Sequence, residues 1–325
     1  MTAISYRVLC MSGDPEWQEH RSGLVTGTVA PSLLGVQRFG SLLGHYARMR
    51  GEYVEEPSAE TEARWQWGHD QEESVIRNVA GRLGLKARKA NVLLQSVEWP
   101  WMGCTLDAWI EVDGSEVPFE IKTTAARGAS DKWEDGAPAD VVAQVQQQML
   151  VTGADRCLVA VVLFGQPPLY TWVDRDDEMI ERLVVEGRKL SDMVANGTPP
   201  APDGSDDAGV VLSARKRDAG STIDLDIDAA NLVLLLDEAE AASKAASAEV
   251  KRLKQELIVE LMDSETGLLP GGGRVTFKEQ RRAGSVKVQG ISLAEVSEAL
   301  SAIPGLKFKA SETKESRFRV LRRKK

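Results

Sequence analysis

The dipeptide Asp113-Gly114 lies between two stretches of alternating character, residues 101–112 and 117–124. Asp-Gly accepts the positive φ that both central positions of a type I′ turn demand, so it is a strong two-residue hairpin signal. A loop of that length fixes the register and puts Asp107 directly opposite Glu120. Their β-carbons would then lie about 5 Å apart on one face. A four-residue loop would shift the pairing by one step and keep the face. Lys122 shares that face, while Phe119 and Ile121 point to the other. Two carboxylates so close repel each other unless a proton or a cation sits between them. Oxygen ligands at that separation suit Mg²⁺ or Mn²⁺. The plain alternative is a surface hairpin carrying an exposed cross-strand charge cluster.

Two helices add to this picture. Residues 61–83 carry an apolar stripe through Val75, Ile76, Val79, Ala80 and Leu83, and Glu72 falls on that stripe while Glu73 points aside. A carboxylate on a core-facing stripe needs a partner, which a cation held by Asp107 and Glu120 would supply. A glutamate at the helix edge is the common reading. Residues 140–152, ended by Gly153, place Gln144 and Gln148 on one face beside Val141 and Val145. A solvated face explains glutamines most simply. Neutral amides can also orient water or a phosphate beside an acidic site without disturbing its charge.

Beyond residue 195 the character changes. Residues 196–221, rich in Pro, Gly and Asp at their start, are expected to be a linker between a first domain at 1–195 and a second at 222–325. In the second, residues 228–262 are expected to form one helix, with Leu232, Ala239, Ala246 and Leu253 at heptad spacing and Val250, Leu257 and Leu261 beside them. A packed αα or αβ element is expected. Alanine at two of the seam positions argues against an intermolecular coiled coil. Strands are expected at 274–278 and 316–322, and Ser292 with Glu295 makes a capping box for a short helix. The glycines 271–273 precede a strand without a Lys-Ser/Thr, so they are a turn and not a phosphate loop.

Composition excludes other chemistries. Cys10, Cys104 and Cys157 are isolated, too few for a four-cysteine metal site, and point to a reducing cytoplasm. The three histidines lack zinc spacing. No apolar run reaches membrane-spanning length, and no signal peptide is apparent at the start. Residues 270–325 hold fourteen Lys or Arg against five Glu, a balance of +9, which leaves −18 on the rest of a chain whose net charge is −9. A basic end on an acidic body is compatible with nucleic-acid contact.

Asp107 followed by Glu120-Ile121-Lys122 resembles the PD-(D/E)xK nuclease signature. The wider pattern is similar to the YqaJ-type viral recombinases and lambda-exonuclease-like phage nucleases. Arg21 with Thr28 seven residues on resembles that group's entry motif, Trp67-Gly68 through Glu72 its Trp-Gly-x-x-x-Glu helix, and Ala143-Gln144-Val145-Gln146 its Ala-Gln-Val-Gln helix. Together these blocks span about residues 15–190. Leu106 stands where proline is usual, and Thr26-Gly27-Thr28 departs from the usual run, which leaves the hydroxyl role of Thr28 open.

The resemblance implies an α/β fold, a mixed sheet flanked by helices with a metal site where strands diverge, followed here by a smaller helical α+β C-terminal domain. It implies that Asp107, Glu120, the carbonyl of Ile121 and Glu72 hold Mg²⁺, that Lys122 and Gln144 act on the attacking water, and that Arg21 and Thr28 bind a 5′-phosphate. The expected activity is resection of double-stranded DNA ends, 5′ to 3′, in the host cytoplasm. The expected partners are a single-strand annealing protein and further copies of the chain. An endonuclease or repair nuclease of the same fold, and a non-catalytic DNA-binding or assembly module, are the alternatives.

Overall fold

The computed structural model describes residues 5–37, 40–54, 56–124, 129–163, 166–215, 220–282, 286–288, 310–312 and 316–324. The chain divides into two compact units, Met1–Ala219 and Gly220–Lys325.

In the first unit β1 (Tyr6–Met11), β2 (Ala87–Ser96), β3 (Gly103–Val112), β4 (Ser115–Thr124), β5 (Arg156–Leu163) and β6 (Leu169–Asp174) form one sheet in sequence order. All neighbours are antiparallel except β4 and β5. A parallel pair needs a crossover, which here contains α5 (Ala129–Lys132) and α6 (Ala139–Thr152). The expected mixed sheet flanked by helices is therefore present.

The central hairpin closes as its turn residues demand. Asp113 and Gly114 take φ of 51° and 80°, and Val112 pairs with Ser115, Glu111 with Glu116 and Ala108 with Phe119. Continued by one step, that register would set Asp107 opposite Glu120, but the ladder itself ends at Ala108 and Phe119. There the Asp107 side chain, not a main-chain carbonyl, takes the Ile121 N–H at 2.8 Å. The backbone ladder gives way to a side chain where the two carboxylates begin.

Helix α4 (Ala59–Leu83) is capped by the Ser58 hydroxyl and ends at Gly84 in the left-handed region. Its Val75, Ile76 and Val79 cover one sheet face, against Ala108, Ile110, Phe119, Ile121 and Leu158. Helix α6, ended by Gly153 at φ 74°, covers the other. Its Val141, Val145 and Met149 meet Cys157 and Val159. The main core of that face also draws in α2 (Ala30–Leu33), α3 (Leu42–Met49) and α7 (Asp177–Asn196). Asp107, Glu120 and Lys122 alternate with the residues under α4 and so face α6.

The stretch expected to be a linker is partly built into this unit. Helix α8 (Asp206–Ala214) starts at a Ser205 cap and buries Ala208 and Val211. Asp207 accepts the Ser41 hydroxyl at 2.8 Å and Arg48 Nη2 at 2.5 Å on α3. The Pro/Gly signal ends at Gly204, and the Ser-Asp-Asp that follows is a helix start rather than more loop.

In the second unit α9 (Ile227–Glu260) is a single 34-residue helix. Strand β8 (Arg274–Arg282) lies between β11 (Ser316–Lys324) and β7 (Thr266–Leu268), and β9 (Val286–Val288) pairs with β10 (Ala310–Glu312). Both expected strands fall inside β8 and β11, while Ser292 and Glu295 lie outside the described residues. Among the described residues helix α9 buries none of its side chains, while Leu261 just past its end and Val275 on β8 are buried. Among the described residues no helix is long and apolar enough to cross a membrane.

Candidate active site

Glu120 is 3% exposed, and three side-chain donors meet its carboxylate. Lys122 Nζ lies 2.6 Å from Oε1, Gln144 Nε2 donates to the same oxygen at 2.7 Å, and Gln148 Nε2 donates to Oε2 at 2.6 Å. Gln144 also accepts from Lys122 Nζ at 2.7 Å. The amides of Gln144 and Gln148 are thus oriented by charges on β4. Gln144 can satisfy a carboxylate and an ammonium at once because it offers both an acceptor and donors.

The charge balance is uneven. Burial and the neighbouring Glu120 push the Asp107 carboxyl well above the usual carboxylate range, although Lys122 and the Ile121 N–H pull it down. Burial works to lower Lys122, but Glu120 and Asp107 outweigh it and hold the ammonium above its ordinary value. One lysine does not neutralise two neighbouring carboxylates, so the site has an affinity for one further positive charge. The thiols of Cys104 and Cys157 are pushed up by burial and stay protonated, with no nucleophilic role.

Arg21 and Thr28 also come together. Arg21, in α1 (Trp17–Ser22), donates from Nη2 to Thr28 Oγ1 at 3.2 Å, and Thr28 meets the Thr26 hydroxyl at 3.0 Å. Main-chain bonds from Val25 N to Trp101 O and from Gly103 N to Val25 O fasten this loop to the start of β3. Gln147 Nε2 donates to the Val25 and Gly103 carbonyls at 2.5 and 2.9 Å. At Gly27 a β-carbon would stand 3.1 Å from Gln144 Cγ and 3.5 Å from its carbonyl oxygen. The loop that holds Thr28 therefore lies directly against the helix turn that holds Lys122 and Glu120.

Glu72 has a different setting. It is buried and Glu73 is exposed, as the stripe requires. Its carboxylate lies 2.7 Å from His69 Nδ1 and 3.0 Å from Lys89 Nζ. Lys89 pairs with Ala108 on the α4 side of the sheet. Among the described residues no hydrogen bond or ion pair joins Glu72 to Asp107 or Glu120, and no three His, Cys, Asp or Glu group as metal ligands. The apolar stripe located Glu72 correctly; the Lys89 contact was not legible, because Lys89 comes from a strand whose register the sequence does not reveal, and the Glu72 charge also helps to raise the Asp107 carboxyl.

The solvated face that would explain Gln144 and Gln148 most simply is not found, since Gln148 is buried. Gln146, Gln147 and Gln148 are all fully buried. Gln146 bridges Asp174 O and Asp176 N, fixing the start of α7. The available signal was their density on an otherwise apolar helix, since buried amides survive only when bonded.

Part of the chain is similar to known proteins. Residues 16–155 match the family model of the YqaJ-like viral recombinase domain. Among solved structures, an alkaline exonuclease from Laribacter hongkongensis is 17% identical, covering 57% of this chain and 94% of its own, with a TM-score of 0.45. A phage-related exonuclease from Haemophilus somnus 129PT is 15% identical, covering 54% of this chain and 96% of its own, with a TM-score of 0.41. A search of curated proteins finds no match. The matched span contains Arg21, Thr28, Glu72, Asp107, Glu120, Lys122 and Gln144, so every residue of the candidate site lies within the stretch that is similar to the YqaJ-like viral recombinase domain, a match that supports a nuclease.

Proposed function

We propose that the protein is a divalent-metal-dependent exonuclease that resects double-stranded DNA ends 5′ to 3′, leaving 3′ single strands for an annealing partner. The observation that carries this reading is the contact of Gly27 with Gln144. It sets the Arg21–Thr28 pair beside the carboxylate cluster, so a terminal phosphate gripped there has its neighbouring phosphodiester near Lys122. A guanidinium fork matches phosphate oxygens, and a hydroxyl adds a donor.

The donor set fits a hard cation such as Mg²⁺, with Mn²⁺ as a substitute. Asp107, Glu120 and the Ile121 carbonyl offer oxygens only, and the two carboxylates carry one charge more than Lys122 cancels. Glu72, engaged by His69 and Lys89, supports the site from the opposite face. When bound, the cation supplies a more acidic water and neutralises charge on the phosphate. Lys122 orients the water and offsets the developing negative charge. Gln144 fixes the Lys122 ammonium, and Gln148 keeps Glu120 from turning away. The attacking oxygen forms a bond to phosphorus, and the bond from phosphorus to the 3′ oxygen breaks. That leaves a 5′-phosphate on the shortened strand, the group that Arg21 binds, so each cut regenerates the end that the pocket recognises.

Purified protein with Mg²⁺ and duplexes labelled at the 5′ or the 3′ end tests catalysis and polarity together. Early release of the 5′ label, and resistance of a covalently closed circle, are expected. Cutting of the closed circle would establish the endonuclease instead.

A further inference from the structure

Helix α9 is exposed along both flanks of a regular seam. Leu232, Leu236, Val250 and Leu253 are each between 45% and 66% exposed. With Ala239, Ser243, Ala246 and the half-buried Leu257, they alternate at spacings of four and three residues, which places them on one face of the 34-residue helix. Among the described residues, nothing in its own unit covers that face. We propose that a second copy of this chain covers it, through an antiparallel pairing of the two α9 helices.

Charge selects the occupant and its direction. The first half of α9 carries Asp228, Asp237, Glu238 and Glu240 without a basic residue. Residues 244–254 carry Lys244, Lys251, Arg252 and Lys254 against Glu249 alone, and Arg252 donates to Glu249 and Glu256 within the helix. A parallel partner would set acid against acid. An antiparallel one brings Asp237 and Glu238 level with Arg252 and Lys251 of the second copy, and its opposed helix dipoles add to the attraction.

Side-chain size points the same way. With Ser243 facing Ala246, an antiparallel pair also sets Ala239 against Val250, Leu236 against Leu253 and Leu232 against Leu257. Every layer occurs twice by symmetry, as an isologous contact requires. A parallel pair would stack Ala239, Ser243 and Ala246 each on its own copy, leaving three thin layers between thick ends. Alanine, which weakens a parallel seam, here lets a larger residue opposite fill the space.

Cysteine pairing in the full chain tests this. The three native cysteines are free and buried and give little background. In the double variant A239C/V250C, mild oxidation should join two chains into a covalent dimer as the main product. Each single variant should stay uncrosslinked. Within one helix these positions are roughly 16 Å apart, beyond the reach of a disulfide. Adding L236E/L253E, on a helix whose fold circular dichroism verifies, should abolish the crosslink. Crosslinking of A239C alone would show a parallel pair and overturn the antiparallel one. No crosslink in any variant would overturn the pairing of α9 with a second copy.

Discussion

At the scale of single residues, the cluster around Glu120 trades stability for chemistry. Asp107→Ala, Glu120→Ala and Lys122→Ala should each abolish cleavage while the nuclease unit stays folded, and full activity in Glu120→Ala would remove the site assignment. Asp107→Asn is more informative. The raised Asp107 carboxyl means that the folded state binds its proton more tightly than the unfolded chain, so stability falls as the pH rises from the unfolded value through the folded one. The amide can still accept the Ile121 N–H, so D107N should melt higher than wild type in EDTA at pH 8. Mg²⁺ should raise the melting temperature of wild type much more than that of D107N. Equal melting in EDTA would mean that the carboxylates do not repel. His45 shows the opposite sign. Burial, with Arg48 and Arg21 nearby and Asp207 opposing them, lowers its pKa to about 4. The unfolded chain takes up that proton near 6.5, so stability is flat above this value and falls as the pH drops toward 4. Compared with His45→Gln, wild type should lose roughly 2 kcal/mol more between pH 7 and pH 5, read from urea midpoints.

At the scale of elements, α6 is the piece on which both halves of the site depend. Its legibility was uneven for physical reasons. The turn Asp113-Gly114 acts locally, so it fixed the hairpin register, and with it the shared face of Asp107 and Glu120, without the rest of the molecule. The positions of α4 and α6 followed from apolar spacing, and their ends from Ser58, Gly84 and Gly153. The engagement of Glu72 by Lys89, and of Gln147 by Val25 and Gly103, depends on long-range packing that no local pattern encodes. Helix α8 was hidden because its cap follows a Pro/Gly-rich run. The contact between Gly27 and Gln144 is the element-level feature most open to test. Gly27→Val would force the loop away from α6, because a larger side chain has no room beside Gln144 Cγ. If the pocket serves a 5′-phosphate, wild type should degrade 5′-phosphorylated duplex faster than 5′-hydroxyl duplex. Arg21→Ala and Gly27→Val should both narrow that difference, the glycine variant without removing any phosphate ligand. Equal wild-type rates on the two ends would deny Arg21 this role.

At the scale of the molecule, the question is what a basic C-terminal end does for an acidic nuclease. The excess of Lys and Arg in residues 270–325 offers phosphates a partner that the rest of the chain, at −18, lacks. Where the two units are separated matters to the test. Cutting at Asp203, where the sequence alone suggests a linker, would strip α8 and leave Arg48 and Ser41 without Asp207. It would also uncover the surface that Val211 now protects, so loss of activity there would say nothing about DNA. Cutting after Ala219, the end of the first unit, leaves α8 in place. The shorter protein should keep its melting temperature and cleave short duplexes. It should bind duplex more weakly than the full chain, with a shallower dependence on salt, since every phosphate that is no longer neutralised lowers the slope by about 1. A truncation after Ala219 that matches the full chain in both affinity and slope would show that the basic end is solvated, leaving self-association through α9 as the role of the second unit. If affinity falls but the slope does not, the loss is one of avidity from unpaired copies rather than of charge neutralisation on the DNA.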